Sequence, residues 1–160
     1  MLLNSALKTL SMASLLLLGG FAFTPAALAG DCPAGQTAPD AMKPGATMAK
    51  DVTDNVIGSI DLGNGYNIAG KTMRMRKLVV QPGGIVPWHS HTERPANIYV
   101  VDGAITEYRS TCKVPIEHKA GDIAVESGNL AHWWKNNSKK PATLISADIV
   151  PTPMMNEGGM

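Results

Sequence analysis

The stretch Gly83–Gly103, GGIVPWHSHTERPANIYVVDG, places two histidines one residue apart, His89 and His91. Successive side chains of an extended strand point to opposite faces, so these two share a face and can share one ion. A third histidine, His132, follows about forty residues later in GDIAVESGNLAHWWKN. Carried on a neighbouring strand, it would complete a metal-binding face, because neutral imidazole nitrogen suits zinc, iron, manganese, nickel and copper alike.

Around this stretch the chain reads as short strand candidates broken by turn residues: VIGSIDL, KTMRMRKLVVQ, IVPWHSH, NIYVVDG, AITEYRS, GDIAVES, HWWKN and ATLISADIV. Turns are expected at GNG (63–65), QPGG (81–84), DG (102–103), KAGD (119–122), SGN (127–129) and NNSKKP (136–141). Strands at this spacing, with no long amphipathic helix, predict an all-β sandwich or barrel.

The N-terminus, MLLNSALKTLSMASLLLLGGFAFTPAALA, carries one charge, Lys8, then an apolar run and a small-residue cleavage pattern ending at Ala29. It reads as a secretory signal peptide; the run is short of the ~20 residues that span a bilayer. Asp31 separates Gly30 from Cys32, which argues against lipidation at that cysteine. The expected organisation is signal peptide 1–29, a Gly/Pro-rich extended arm 30–50, a β-barrel 51–152 and a flexible tail 153–160. All 13 acidic residues and all basic ones except Lys8 lie beyond residue 29, so the processed chain is nearly neutral. No basic patch points to nucleic acid, and nothing after processing points to a membrane. Export puts Cys32 and Cys112 in an oxidising compartment, where they either pair or remain as one buried and one exposed thiol.

Two motifs then resemble those of the cupins, the type-2 barrels of the RmlC-like superfamily. The first runs glycine, five residues, His, any, His, three or four residues, Glu, six residues, Gly. Gly83, His89, His91 and Gly103 match it, and Ala96 stands where the glutamate belongs. The second runs glycine, five residues, Pro, any, Gly, two residues, His, three residues, Asn. Gly121, His132 and Asn136 match it, with Ser127 and Asn129 at the Pro and Gly positions. The resemblance covers roughly residues 70–150. It implies a double-stranded β-helix, or jelly-roll barrel, with His89, His91 and His132 holding one divalent metal (Fe, Mn, Ni, Cu or Zn); the alternative is a barrel that has lost its metal.

Three imidazoles without the glutamate leave the ion's charge uncompensated and positions open for an anionic ligand or water. Some cupin dioxygenases acting on thiols or diketones use such a site, so the resemblance implies a dioxygenase-like oxidoreductase; a non-catalytic binding module is the competing reading. Glu93 shares parity with the two histidines and is a candidate fourth ligand or base, or else a solvated turn residue beside Thr92. Parity puts Trp134 and Asn136 with His132, and Ile98 and Val100 with Ala96, as candidate pocket walls. Each tryptophan has an equally ordinary role as core filler or subunit contact. Arg94, Arg74 and Arg76 are candidates to orient a substrate carboxylate, and His118, outside both motifs, reads as a surface histidine. The expected partner is a small molecule, the expected location the bacterial periplasm, and a homodimer follows by analogy alone.

Overall fold

A computed structural model describes residues 30–152; the leader and tail read over 1–29 and 153–160 lie outside them. Eight antiparallel strands form one curled sheet: β1 (Lys50–Asp61), β2 (Lys71–Ser90), β3 (Ala96–Asp102), β4 (Ala104–Arg109), β5 (Ile116–Lys119), β6 (Ile123–Glu126), β7 (Ala131–Lys135) and β8 (Ala142–Pro151). Their order is β5-β4-β7-β2-β8-β3-β6, with β1 on β2, giving a nearly closed barrel of the jelly-roll type expected from the sequence. The period-2 alternation does the sorting: in ATLISADI every second side chain, Ala142, Leu144, Ser146 and Asp148, is buried.

Strand β2 decides the architecture. The QPGG segment, expected as a turn, is instead a corner inside this 20-residue strand. Before it, β2 pairs with β1 and β8; after it, with β7 and, at Ile85 alone, with Lys50 of β1. Gly83 adopts φ 76°, and a Cβ at Gly84 would lie 2.7 Å from the Asp51 carbonyl oxygen. Two glycines therefore let the backbone bend and change strand partners where side chains would block it. Gly83 N–H donates to Asn136 O, and Asn136 N–H donates to Gly84 O, so the corner keeps its hydrogen bonds. A second departure is β5, whose four residues IEHK the sequence reading passed over.

The interior changes character along the barrel. One end is an apolar core of Leu78, Val80, Ile98, Val100, Ile105 and Leu144, closed by Trp134. Continuing along the same strands, the inward positions become Arg76, Glu107, Glu126, Ser146 and Asp148, joined by His91, His118 and His132. Burying so many polar groups is tolerable only where they pair with one another or with an ion.

The arm from residue 30 to β1 is irregular but tied down. Cys32 and Cys112 form a disulfide across a separation of 80 residues. Ala38 and Ala41 N–H groups donate to Thr111 O and Ser110 O, and Trp88 N–H donates to Ala46 O.

Candidate metal centre

The histidines reach the interior through a bulge. Between Val86 and His89 the β2–β7 register slips, Val86 pairing with Trp134 but His89 with His132. One extra residue on β2 restores inward parity, so Val86 and both histidines of the HxH pair face the same cavity. His132 comes from β7 directly opposite His89, and Glu126 comes from the end of β6.

Their donor atoms converge. His132 Nε2 lies 3.1 Å from His89 Nε2 and 3.0 Å from His91 Nε2. Glu126 reaches to 3.1 Å from His91 Nε2 and 3.3 Å from His132 Nε2. All four donors lie within 4.8 Å of one another. Ligands held at ~2.0–2.1 Å from one ion are about 2.9 Å apart at a right angle and about 3.4 Å apart at the tetrahedral angle, so the short contacts here fit a shared ion.

The tautomers make the argument stronger. His89 Nδ1 lies 2.7 Å from Pro87 O, and His91 Nδ1 lies 2.8 Å from Arg94 O. A carbonyl only accepts, so each Nδ1 carries the proton and each Nε2 presents a lone pair. His132 Nδ1 donates to the Glu107 carboxylate with the same result. Three lone pairs then face one another with no imidazole proton among them, an arrangement that favours a cation between them. Glu126 Oε1, buried and without a hydrogen-bond partner among the described residues, points the same way.

Charge states fit this reading. Burial, then the His132 charge, pushes His89 down to about 4 and His91 down to about 3, so both are neutral ligands at pH 7. Burial lowers His132 as well, against the opposing pull of Glu107. Burial, reinforced by the Glu107 charge, raises Glu126 well above the usual carboxylate range, so a bound cation must displace its proton.

Behind His132 lies a buried layer that sequence reading missed. Glu107 accepts from Arg109 Nε and Nη2 at 2.9 and 3.0 Å, and from His118 Nε2 at 2.9 Å, as well as from His132. Burial alone would raise Glu107, but these donors outweigh it and hold the carboxylate ionised, far below its ordinary range. It fixes the His132 ring and tautomer, the role carboxylates take behind metal-bound histidines. His118 is thus no surface residue: it is fully buried on β5, against Trp134. The alternation in AITEYR, with Ile105, Glu107 and Arg109 on one face, was the available signal.

The other candidates divide. Glu93 is exposed in the bend after β2 and stands outside the donor group; the carboxylate comes from Glu126 instead. Ala96 and Glu126 are partners across β3 and β6, so the acid occupies the neighbouring strand, one cross-strand step from the position where the motif expects it. Beside His89 and Glu126 opens a pocket of about 230 Å³ walled by Trp134, Ile98 and Leu78 and edged by Arg76 and Arg94. Val100 does not reach it, being packed in the apolar core. Asn136 does not line it either: its fully buried amide donates to Val80 O and Lys140 O, both at 2.8 Å, and braces the turn after β7. Arg74 forms a bidentate pair with Asp148.

Comparison with known proteins agrees with this geometry. The Cupin domain family model matches residues 76–148. Nectarin-1 of Nicotiana langsdorffii x Nicotiana sanderae is 31% identical over 108 residues, covering 66% of this chain and 46% of the relative. Germin-like protein 5-1 of Oryza sativa subsp. japonica is 32% identical over 104 residues, 59% of this chain and 46% of the relative. The chain thus spans about half the length of the curated relatives it matches. Among solved structures, the Schizosaccharomyces pombe Cnp3 cupin domain superposes with a TM-score of 0.51 at 9% identity, over 68% of this chain and 70% of that one. A double-stranded β-helix protein from Klebsiella pneumoniae gives 0.51 at 17%, over 64% and 79%. Identities this low speak to the fold alone.

Proposed function

Because residues 76–148 are a cupin domain, we propose that this chain is an exported metalloprotein whose ion, held by His89, His91, Glu126 and His132, works on a small molecule as a dioxygenase-like oxidoreductase. The observation that carries the reading is the convergence of three Nε2 lone pairs and one carboxylate at the edge of a pocket. A divalent transition metal there supplies Lewis acidity and, for iron, manganese or copper, redox chemistry. The protein's own residues do the rest. Glu126 offsets one unit of the ion's charge, Glu107 holds His132 in its ligating tautomer, and Trp134, Ile98 and Leu78 exclude water from the bound molecule.

A non-catalytic metal- or ligand-binding module is the second reading, favoured by the donor count: four protein ligands can close a tetrahedral site. The two separate in one experiment. After anaerobic loading with Fe(II), oxygen uptake is followed with thiols, diketones and phenolic acids; the enzyme turns over repeatedly, whereas the module shows only stoichiometric binding. Elemental analysis of protein from its native compartment identifies the metal, and its absence there would remove the enzyme and the metal-binding form of the module.

The Cys32–Cys112 disulfide supports a location outside the cytoplasm, which we take to be the bacterial periplasm. We also propose a homodimer, supported by the exposed apolar Tyr99, Val101, Ile123 and Val125 on the outer face of β3 and β6. Sedimentation equilibrium tests it, and a monomer at micromolar concentration would reject it.

A further inference from the structure

The polar end of the barrel holds a second cluster beside the metal donors. Three guanidinium groups surround one fully buried carboxylate, Asp148: Arg74 at 2.8 Å, Arg76 at 3.3 Å and Arg94 at 3.5 Å. The remaining acid of the cluster, Asp54, is partly exposed and pairs with Arg76. Three positive charges therefore meet two negative ones, within a wall that also carries a cation site.

The arginines are not equally satisfied. Arg74 spends its fork on Asp148 in a bidentate pair, whereas Arg94 makes no side-chain hydrogen bond among the described residues. Arg76 Nε is buried and unpartnered among the same residues. Arg76 does engage Ser146 and Asp54 through its Nη atoms, so its spare donor is Nε alone, whereas the fork of Arg94 is open; these two, and not Arg74, edge the pocket, on the same cavity as His89 and Glu126. Asp54 also lines the pocket beside Arg76, and the rest of the lining is apolar: Leu78, Val86, Pro87, Ile98, Trp134 and Leu144.

We infer that Arg76 and Arg94 form an anion subsite, and that the ligand of this pocket is a small carboxylic acid with a short apolar body and a second oxygen donor directed at the metal. The inference rests on the metal reading only for that second donor. A guanidinium fork matches a carboxylate in shape and charge, and its open N–H groups cost free energy as long as no acceptor meets them. The apolar lining suits a short hydrocarbon chain, and the small volume, below the ~300–1,000 Å³ of drug-sized sites, limits it to a metabolite-sized molecule. Asp54 is the competitor, because it pairs with Arg76 at the edge of the pocket.

The test uses 2-hydroxy-3-methylbutyrate and its amide, equal in shape and different in charge, titrated calorimetrically into the full chain with Zn(II) and without metal. The acid is expected to bind at least about 10-fold more tightly than the amide, since hydrogen bonds to charged groups are the stronger ones. Arg94→Gln removes that preference and leaves zinc content unchanged. Asp54→Asn, an exposed change that leaves the core intact, tightens the acid severalfold by releasing Arg76. Equal binding of acid and amide, or an undiminished preference in Arg94→Gln, overturns the anion subsite; binding of neither does the same. If zinc fails to load but the metal-free chain still prefers the acid, the subsite stands and the metal reading falls.

Discussion

Moving one carboxylate across one pair of strands tests the candidate centre most directly. Glu126 and Ala96 are register partners on β6 and β3, both pointing inward. Opposed Cβ atoms on antiparallel strands lie about 4.5–5.5 Å apart, a distance a glutamate side chain can span from either root. Removing the ligand with Glu126→Ala leaves three imidazoles. Protein sites of four ligands bind zinc with about 10–16 kcal/mol, so an equal share is about 2.5–4 kcal/mol, or about 60–700-fold in affinity at 1.4 kcal/mol per decade. Water can take the vacated position, which favours the lower figure. The double variant Ala96→Glu, Glu126→Ala returns a carboxylate to the cavity and is expected to recover most of the loss. Zinc affinity is read by chelator competition, with thermal unfolding of the metal-free proteins as the control. Because burial raises Glu126 and its Oε1 lacks a partner among the described residues, the metal-free Glu126→Ala protein should be no less stable than the wild type. Wild-type zinc affinity in Glu126→Ala would refute the four-donor reading, and an unrecovered double variant would refute the equivalence of the two positions.

Three further outcomes follow from the same structure. Glu107→Gln should lower metal affinity about 10–100-fold by loosening His132, and Glu107→Ala should also destabilise the fold by about 3–5 kcal/mol because Arg109 and His118 lose their buried acceptor; chelator competition and urea unfolding separate the two effects. Acid should destabilise the metal-free protein. The unfolded chain protonates its histidines near pH 6.5, while His89 and His91 resist down to about 4 and about 3, so the unfolded state binds more protons in that window. Stability is full above pH 6.5 and falls with pH, by up to about 3 kcal/mol from His89 alone near pH 4; a flat urea midpoint between pH 7 and 4 would contradict this. Replacing Cys32 and Cys112 by serine should cost about 4.5 kcal/mol for a loop of 80 residues, and should make the arm before β1 the first site of proteolysis.

Much of the barrel was legible because its strands alternate cleanly, and the HxH pair announced its shared face. The bulge before His89 was not legible: it is a matter of register between β2 and β7, and parity counted from Val86 along an unbroken strand would have put the histidines outside. QPGG misled for a related reason, since the residues that make a turn also make a corner when the two flanks pair with different strands of the same sheet. Glu126 escaped notice because its place opposite Ala96 is a fact of strand pairing, whereas the motif positions are counted along the chain. Overlooking β5 had the same effect on His118, whose burial depends on a four-residue strand with little pattern to read.

The corner at Gly83 and Gly84 has one more consequence. Arg76 stands on one limb of β2 and His89 on the other, with His91 one residue past its end, so one strand carries residues of both the proposed anion subsite and the candidate metal centre. If the proposed anion subsite and metal both hold the guest, the angle at these two side-chain-free residues would set the spacing between them, so that a wider corner would suit a longer molecule with no residue of the pocket exchanged.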